Sequence, residues 1–308
     1  MTDLKKEFNF VITEEMGGER IDKCLSALID TLSRSYIQKL LAEGSVAVNG
    51  KNVKPSYKVC TDDEVKLFLP PVITPDILPE KIPLDVLYED NDVIVVNKPK
   101  GMVVHPAPGH YEGTLVNALL YHCGNDLSGI NGVLRPGIVH RIDRDTTGSV
   151  IACKNDHAHN EIARQLKEHS IVRKYQAIVH GIIKEEQGTV HTLIGRHPLD
   201  RKKMAVVERG GKDAITHYHV MKRFQNTTYI ECILETGRTH QIRVHMSHLG
   251  HPLLGDSVYG PKSSSYNKLQ GQTLHAGTLG FIHPSTGEYV ETIAPLPEYF
   301  QILLNKLS

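Results

Sequence analysis

Five prolines fall at positions 70, 71, 75, 79 and 83. Each fixes its own φ and lacks a backbone donor, so neither a helix nor a central strand can run through this stretch. The segment from about 70 to 83 reads instead as a stiff, extended linker. It divides the 308-residue chain into an N-terminal domain, 1–75, and a larger one, 84–308. The composition, 40% hydrophobic and 23% charged, is that of ordinary globular protein. No run approaches the ~18 uninterrupted apolar residues of a membrane span. The opening MTDLKKEFNF has no apolar core of a secretion signal, which predicts a cytoplasmic protein without membrane contact. Five scattered cysteines with no CxxC give no reason to expect a disulfide scaffold or a cysteine zinc site.

Net charge is zero, 35 basic against 35 acidic residues, but its distribution is uneven. Between 20 and 58 there are seven Lys/Arg against three Asp/Glu, and between 196 and 212 six against two. Two local basic patches on a neutral chain suit a polyanion bound over a restricted footprint.

The N-terminal domain has a readable pattern. Ile21, Leu25, Leu28 and Ile29 share a helical face. Ser33 is placed to cap a second helix carrying Ile37, Leu40 and Leu41 and ending at Gly44. Val46 to Val48 then lead into Asn49-Gly50, the dipeptide of a type I′ hairpin turn, and Val65, Leu67 and Leu69 alternate as a strand. The stretches ERIDKCLS and SRSYIQKLLAEGSVAVNGK resemble the S4 domain, a small α/β RNA-binding fold. That resemblance implies RNA contact through Arg34, Lys39 and Lys51.

The larger domain alternates strand and helix signals. Residues 93–96 form a buried-strand run, and 150–153, 175–179, 216–221 and 229–234 read as further strands. Helices are expected over 114–121, after a cap at Asp156, and over 239–249. The fold class is α+β, built around a sizeable sheet. Neither GxGxxG, GxxxxGK[ST] nor HExxH occurs, so no nucleotide cofactor or metal is expected. Among the 18 histidines, His240 and His245 are five apart and off-register on a helix, so they cannot chelate together.

The segment 135–148, RPGIVHRIDRDTTG, packs three Arg, two Asp and one His between Pro and Gly. A carboxylate flanked by guanidinium groups stays ionised and can act as nucleophile or base without a cofactor. HRID followed by TTG resembles the signature of the RluA/RluD family of pseudouridine synthases. NKPKGMVVHP (97–106), RKYQAIVHG (173–181) and GRTHQIRVHMSHLGHPLLGDSVYG (237–260) resemble that family's other motifs in the same order. A preceding S4 domain is the arrangement of the RluD branch. The departure is conservative: Ile142 stands where the family usually has leucine.

The resemblance implies a catalytic domain around a large mixed, mostly antiparallel sheet. It makes Asp143 the essential catalytic group, Tyr175 the platform stacking on the target uracil, and Arg243 the partner of Asp143. Arg141, His140 and Arg238 fall in substrate binding, with Arg201 and Lys202 in a basic loop near the RNA. Asp145 lies outside the motif. The reaction moves uracil from an N1 to a C5 linkage on C1′, with no redox change and no cofactor. The expected partner is RNA, most simply large-subunit (23S) ribosomal RNA or a ribosome assembly intermediate, met by a monomeric enzyme. A non-enzymatic assembly protein and a glycosidase-like hydrolase are the competing readings. The intact Asp143, Tyr175 and Arg243 tell against the first, and the S4 module against the second.

Overall fold

A computed structural model of the chain describes residues 6–29, 32–69, 77–107, 109–124, 126–130, 132, 135–200 and 203–308. The chain separates into two compact units, Met1–Thr74 and Pro75–Ser308.

The first unit contains β1 (Lys6–Val11), α1 (Ile21–Leu28), α2 (Arg34–Ala42), β2 (Val46–Val48), β3 (Lys51–Asn52) and β4 (Glu64–Leu69). Among its described residues the strands form one antiparallel sheet in the order β1-β4-β2-β3. Ile21 and Leu25 from α1 meet Ile37 and Leu40 from α2 over Val46, Val65 and Leu67. The Ser33 hydroxyl accepts the Tyr36 N–H at 3.3 Å and so caps α2. Asn49 and Gly50 both take positive φ and join Val48 to Lys51 in a two-residue turn. Asp22 is wholly buried and accepts from Arg20, Arg34 and Gln38.

The second unit runs β5 (Val86–Glu89), β6 (Val93–Lys98), α3 (Leu115–Cys123), β7 (Thr147–Cys153), α4 (Asp156–Lys167), β8 (Val172–His180), β9 (Gln187–Arg196), β10 (Met204–Val206), β11 (Lys212–Arg223), β12 (Thr227–Leu234), α5 (Gln241–His248), β13 (Leu274–Ile282), β14 (Tyr289–Ile293) and α6 (Glu298–Leu307). Among the described residues ten strands form one sheet, β10-β9-β11-β12-β8-β13-β7-β6-β5, with β14 added to β13. The β13–β7 pairing is parallel and the others are antiparallel. The unbroken apolar run of β6 is explained by burial on both faces. Ile94 and Val96 pack with Leu115 and Leu119 of α3, while Val93 and Val95 pack with Ala158 and Ile162 of α4.

Two helix starts differ from the sequence expectation. Asn155, not Asp156, caps α4, because its side-chain oxygen accepts the Ala158 N–H at 2.9 Å. The helix α5 begins at Gln241, because His240 adopts a left-handed backbone at φ 58°. The buried Gln241 side chain accepts from the Arg238 N–H and the Thr236 hydroxyl and donates to the Ile215 carbonyl, which locks the turn before the helix.

Candidate active site

The loop ahead of β7 carries Asp143 and is held from several sides. The Thr146 N–H bonds the Asp143 carbonyl at 3.1 Å and closes a turn. The next carbonyl, of Arg144, accepts from Gly101 N–H at 3.0 Å and from the Lys98 ammonium at 2.9 Å. Lys98 is fully buried and also donates to the carbonyls of Pro99 and Met102. Burial pushes its pKa down to about 7, against the opposing charges of Asp145 and Asp143. Asp145 is engaged by the Arg144 guanidinium through two bonds of 3.0 Å.

Helix α5 brings Arg243 to this loop. Nη1 donates to Asp143 Oδ2 at 2.8 Å, while Nε and Nη2 grip both oxygens of Asp256 at 2.7 and 3.0 Å. Asp256 Oδ1 also accepts the N–H groups of Val258 and Tyr259. Burial works against charge on Arg243, but its bonds with Asp256 and the charges of Asp143 and Asp256 outweigh it and raise its pKa. Burial likewise opposes charge on Asp256, and the Arg243 guanidinium overcomes it, leaving its carboxyl below the usual range.

His240 stands on the other side of Asp143, its Nε2 3.7 Å from Oδ1, beyond hydrogen-bond range. Its Nδ1 meets the Tyr259 hydroxyl at 2.9 Å, and that hydroxyl accepts the Met204 N–H. Burial lowers the His240 pKa, opposed by the charge of Asp143.

Tyr175 projects from β8 into the same cavity of about 500 Å³. Burial and then the Asp143 charge raise its hydroxyl pKa, opposed by Arg173. The cavity also brings together Arg141, His140 and Arg238. Arg141 is exposed and reaches His105 Nε2 at 3.4 Å. His140 Nε2 accepts the Ile151 N–H at 3.0 Å and ties the loop to β7; burial pushes its pKa down to about 3. Arg238 donates Nε–H to the Asp213 carbonyl at 2.7 Å. Arg34, Lys39 and Lys51 belong to the first unit, and Arg201 and Lys202 lie outside the described residues. Asp256, Lys98, Arg173, His240 and Tyr259 were given no role from sequence. Asp256, His240 and Tyr259 all stand inside the quoted 237–260 motif, which was the available signal.

Among the described residues lining the cavity, Asp143 is the only carboxylate, so no second acid is present there for a paired hydrolytic mechanism. Among the described residues one cluster has metal-ligand chemistry: Asp90, Asp92 and His283. Its atoms are already used. Asp90 accepts from Tyr88, His283 and two backbone N–H groups, Asp92 from Asn155 and Ser285, and His283 Nδ1 from the Ser285 and Thr286 N–H groups. It clamps the turns at the ends of β5 and β13.

A single carboxylate clamped by a guanidinium beside a buried tyrosine, on a mixed sheet, is an arrangement equipped for nucleophilic or general-base chemistry. Residues 92–248 match the RNA pseudouridylate synthase family model and 19–65 the S4 domain model. The chain is 53% identical to the uncharacterized RNA pseudouridine synthase YlyB of Bacillus subtilis, covering 98% of each. It is 48% identical to the ribosomal large subunit pseudouridine synthase D of Zymomonas mobilis, over 96% of each. The structure is similar to human RNA pseudouridylate synthase domain containing 1, with a TM-score of 0.57, 26% identity, and coverage of 74% of this chain and 96% of that one. The chain belongs to the RNA pseudouridine synthase family, and its activity is the isomerisation of uridine in RNA.

Proposed function

We propose that this enzyme converts uridines of large-subunit ribosomal RNA to pseudouridine, with Asp143 as the catalytic carboxylate. The observation that carries the assignment is the Arg243–Asp143 bond of 2.8 Å inside the cavity that Tyr175 lines. A target uridine has to leave its stack to reach a carboxylate placed there. Tyr175 offers the face on which the flipped uracil stacks. Arg141, His140 and Arg238 hold the nucleotide around it. Asp143 then attacks C1′ or removes the C2′ proton, and either step frees the base for reattachment through C5. The proton finally lost from C5 goes to Tyr175 or back to Asp143.

The 1–75 domain is the RNA-gripping module, through Arg34, Lys39 and Lys51, and 84–308 is the catalytic domain. Arg201 and Lys202 extend the grip in the basic 196–212 segment. The ribosomal substrate is supported by the synthase D relatives, 41–48% identical across 95–99% of this chain. On this reading the enzyme acts as a monomer, and a ribosomal substrate implies a cytoplasmic site of action. Among the described residues no helix is long and apolar enough to cross a membrane.

The test is carbodiimide mapping of pseudouridine in total RNA from cells lacking the gene. Sites in large-subunit RNA should vanish, return with the wild-type gene, and stay absent with Asp143→Asn. Restoration by Asp143→Asn would refute the role of this carboxylate, and loss confined to transfer RNA would refute the ribosomal substrate.

A further inference from the structure

Arg173 and Tyr175 are two apart on β8, so they project from one face into the cavity. Arg173 is only 6% exposed, and among the described residues no carboxylate pairs with it. Nη2 donates to the Glu235 carbonyl at 2.7 Å, whereas the buried Nε–H has no acceptor. The following turn is shaped around this group: a Cβ on Gly237 would lie 2.8 Å from Nη1. Burying a cation with neither counter-charge nor full hydrogen bonding is costly. A site that keeps one is built for an anion that arrives with its ligand. The exposed Arg141 and Lys167 at the cavity suit the hydrated phosphate backbone. Arg173, buried beside Tyr175, suits a group that has shed its water, and on the reading above that group is the base.

We infer that Arg173 is a catalytic residue that stabilises the uracil anion formed when the glycosidic bond breaks, its Nε–H donating to a base carbonyl oxygen. The charge balance requires such a group on either route. If Asp143 attacks, a C1′–O bond forms, the C1′–N1 pair leaves with uracil, and the carboxylate charge becomes a neutral ester. If Asp143 takes the C2′ proton, a C1′–C2′ double bond forms, the same pair leaves with uracil, and the carboxylic acid is neutral. In both cases one negative charge moves from Asp143, held by Arg243, to the base, held by Arg173. Attack of C5 on C1′ then expels the carboxylate from the ester or, on the elimination route, is joined by return of the Asp143 proton to C2′. Either way the charge goes back to Asp143, and loss of the C5 proton with protonation of N1 completes the product.

This inference rests on the cavity being the uridine site, and the test separates the two. Single-turnover reactions use a large-subunit ribosomal RNA transcript made with uridine or with 5-fluorouridine, following loss of the original nucleoside after digestion. Fluorine withdraws electrons and stabilises the uracil anion without help from the protein. Arg173→Gln should slow loss of uridine by about 10²-fold, the scale of losing one preorganised donor, with RNA affinity unchanged. Its deficit on 5-fluorouridine should be smaller by about tenfold. Arg173→Lys, which keeps the charge, should recover part of the uridine rate. Equal deficits on both bases would mean that Arg173 acts only through the fold, and would overturn the inference. Wild-type rates in Arg173→Gln with an inactive Asp143→Asn would overturn it alone; an active Asp143→Asn would overturn the underlying site.

Discussion

Asp256 occupies two of the three guanidinium nitrogens of Arg243, which leaves Nη1 aimed at Asp143 Oδ2 from 2.8 Å. Asp256 therefore sets the direction of the bond to Asp143, the proposed catalytic carboxylate. Charge-assisted bidentate pairs fix geometry as well as adding energy. Asp256→Asn keeps the shape but removes the charge and one acceptor, so Arg243 can swing away from Asp143. Turnover should fall about 10²-fold, the scale of a 1 Å misplacement, with RNA affinity retained. Single-turnover conversion beside a filter-binding titration checks this; an unchanged rate would show that Arg243 is oriented by other means.

Lys98 is the buried anchor of the loop that carries Asp143. Its ammonium serves the carbonyls of Pro99, Met102 and Arg144, the last belonging to the residue after Asp143. Lys98→Met fills similar space and leaves those three acceptors without their cation. At about 1–3 kcal/mol for a buried unsatisfied group, the loss should reach about 3 kcal/mol or more. Urea unfolding measures it, and a variant as stable as wild type would show that water or neighbouring N–H groups take over.

How far the sequence reaches is clear from particular residues. The turn at Asn49-Gly50 was legible because few residues accept two consecutive positive φ angles. The strand at 93–96 was legible because both faces are covered. The pairing of Asp143 with Arg243, 100 positions apart, came only through the family motifs, since no local periodicity links them. Asp256 is one acid among 35 Asp and Glu in a segment without regular structure, so nothing local marks it as the clamp. Lys98 was missed for a different reason: lysine is normally exposed, and its burial follows from carbonyls that two separate loops supply. Arg173 was within reach, because strand alternation places it on the face of Tyr175.

In the N-terminal unit, Arg34 is half exposed while its guanidinium is steadied by buried Asp22, with bonds of 3.2 Å. Arg34→Ala leaves Asp22 bonded to Arg20 and Gln38, so the fold should hold. If Arg34 neutralises one phosphate, the dependence of log affinity on log salt should become shallower by about 0.7–0.9. Turnover at saturating RNA should not change. An unaltered salt slope would remove Arg34 from the RNA interface.

His245 provides a pH test of the second unit. Its ring is wholly buried, with Nδ1 on the Thr216 hydroxyl at 2.9 Å and Nε2 on that of Thr192 at 3.0 Å. Burial, then the nearby His248 and His191, push its pKa from 6.5 down to about 4. Between those values the unfolded chain holds a proton that the folded chain refuses. Stability from this site is thus complete above pH 6.5 and is lost as the pH falls towards 4, by up to about 3 kcal/mol. His105 and His140 add acid sensitivity of the same sign, their pKa values lying at about 4 and about 3. They remain in His245→Gln, which keeps an amide able to bond a threonine but cannot titrate. Urea unfolding from pH 4.5 to 7 should therefore give a shallower profile for the variant than for wild type, with the two curves converging at acid pH. Parallel profiles would mean that the folded ring takes up its proton at the same pH as the unfolded one, with both threonine hydroxyls accepting from it.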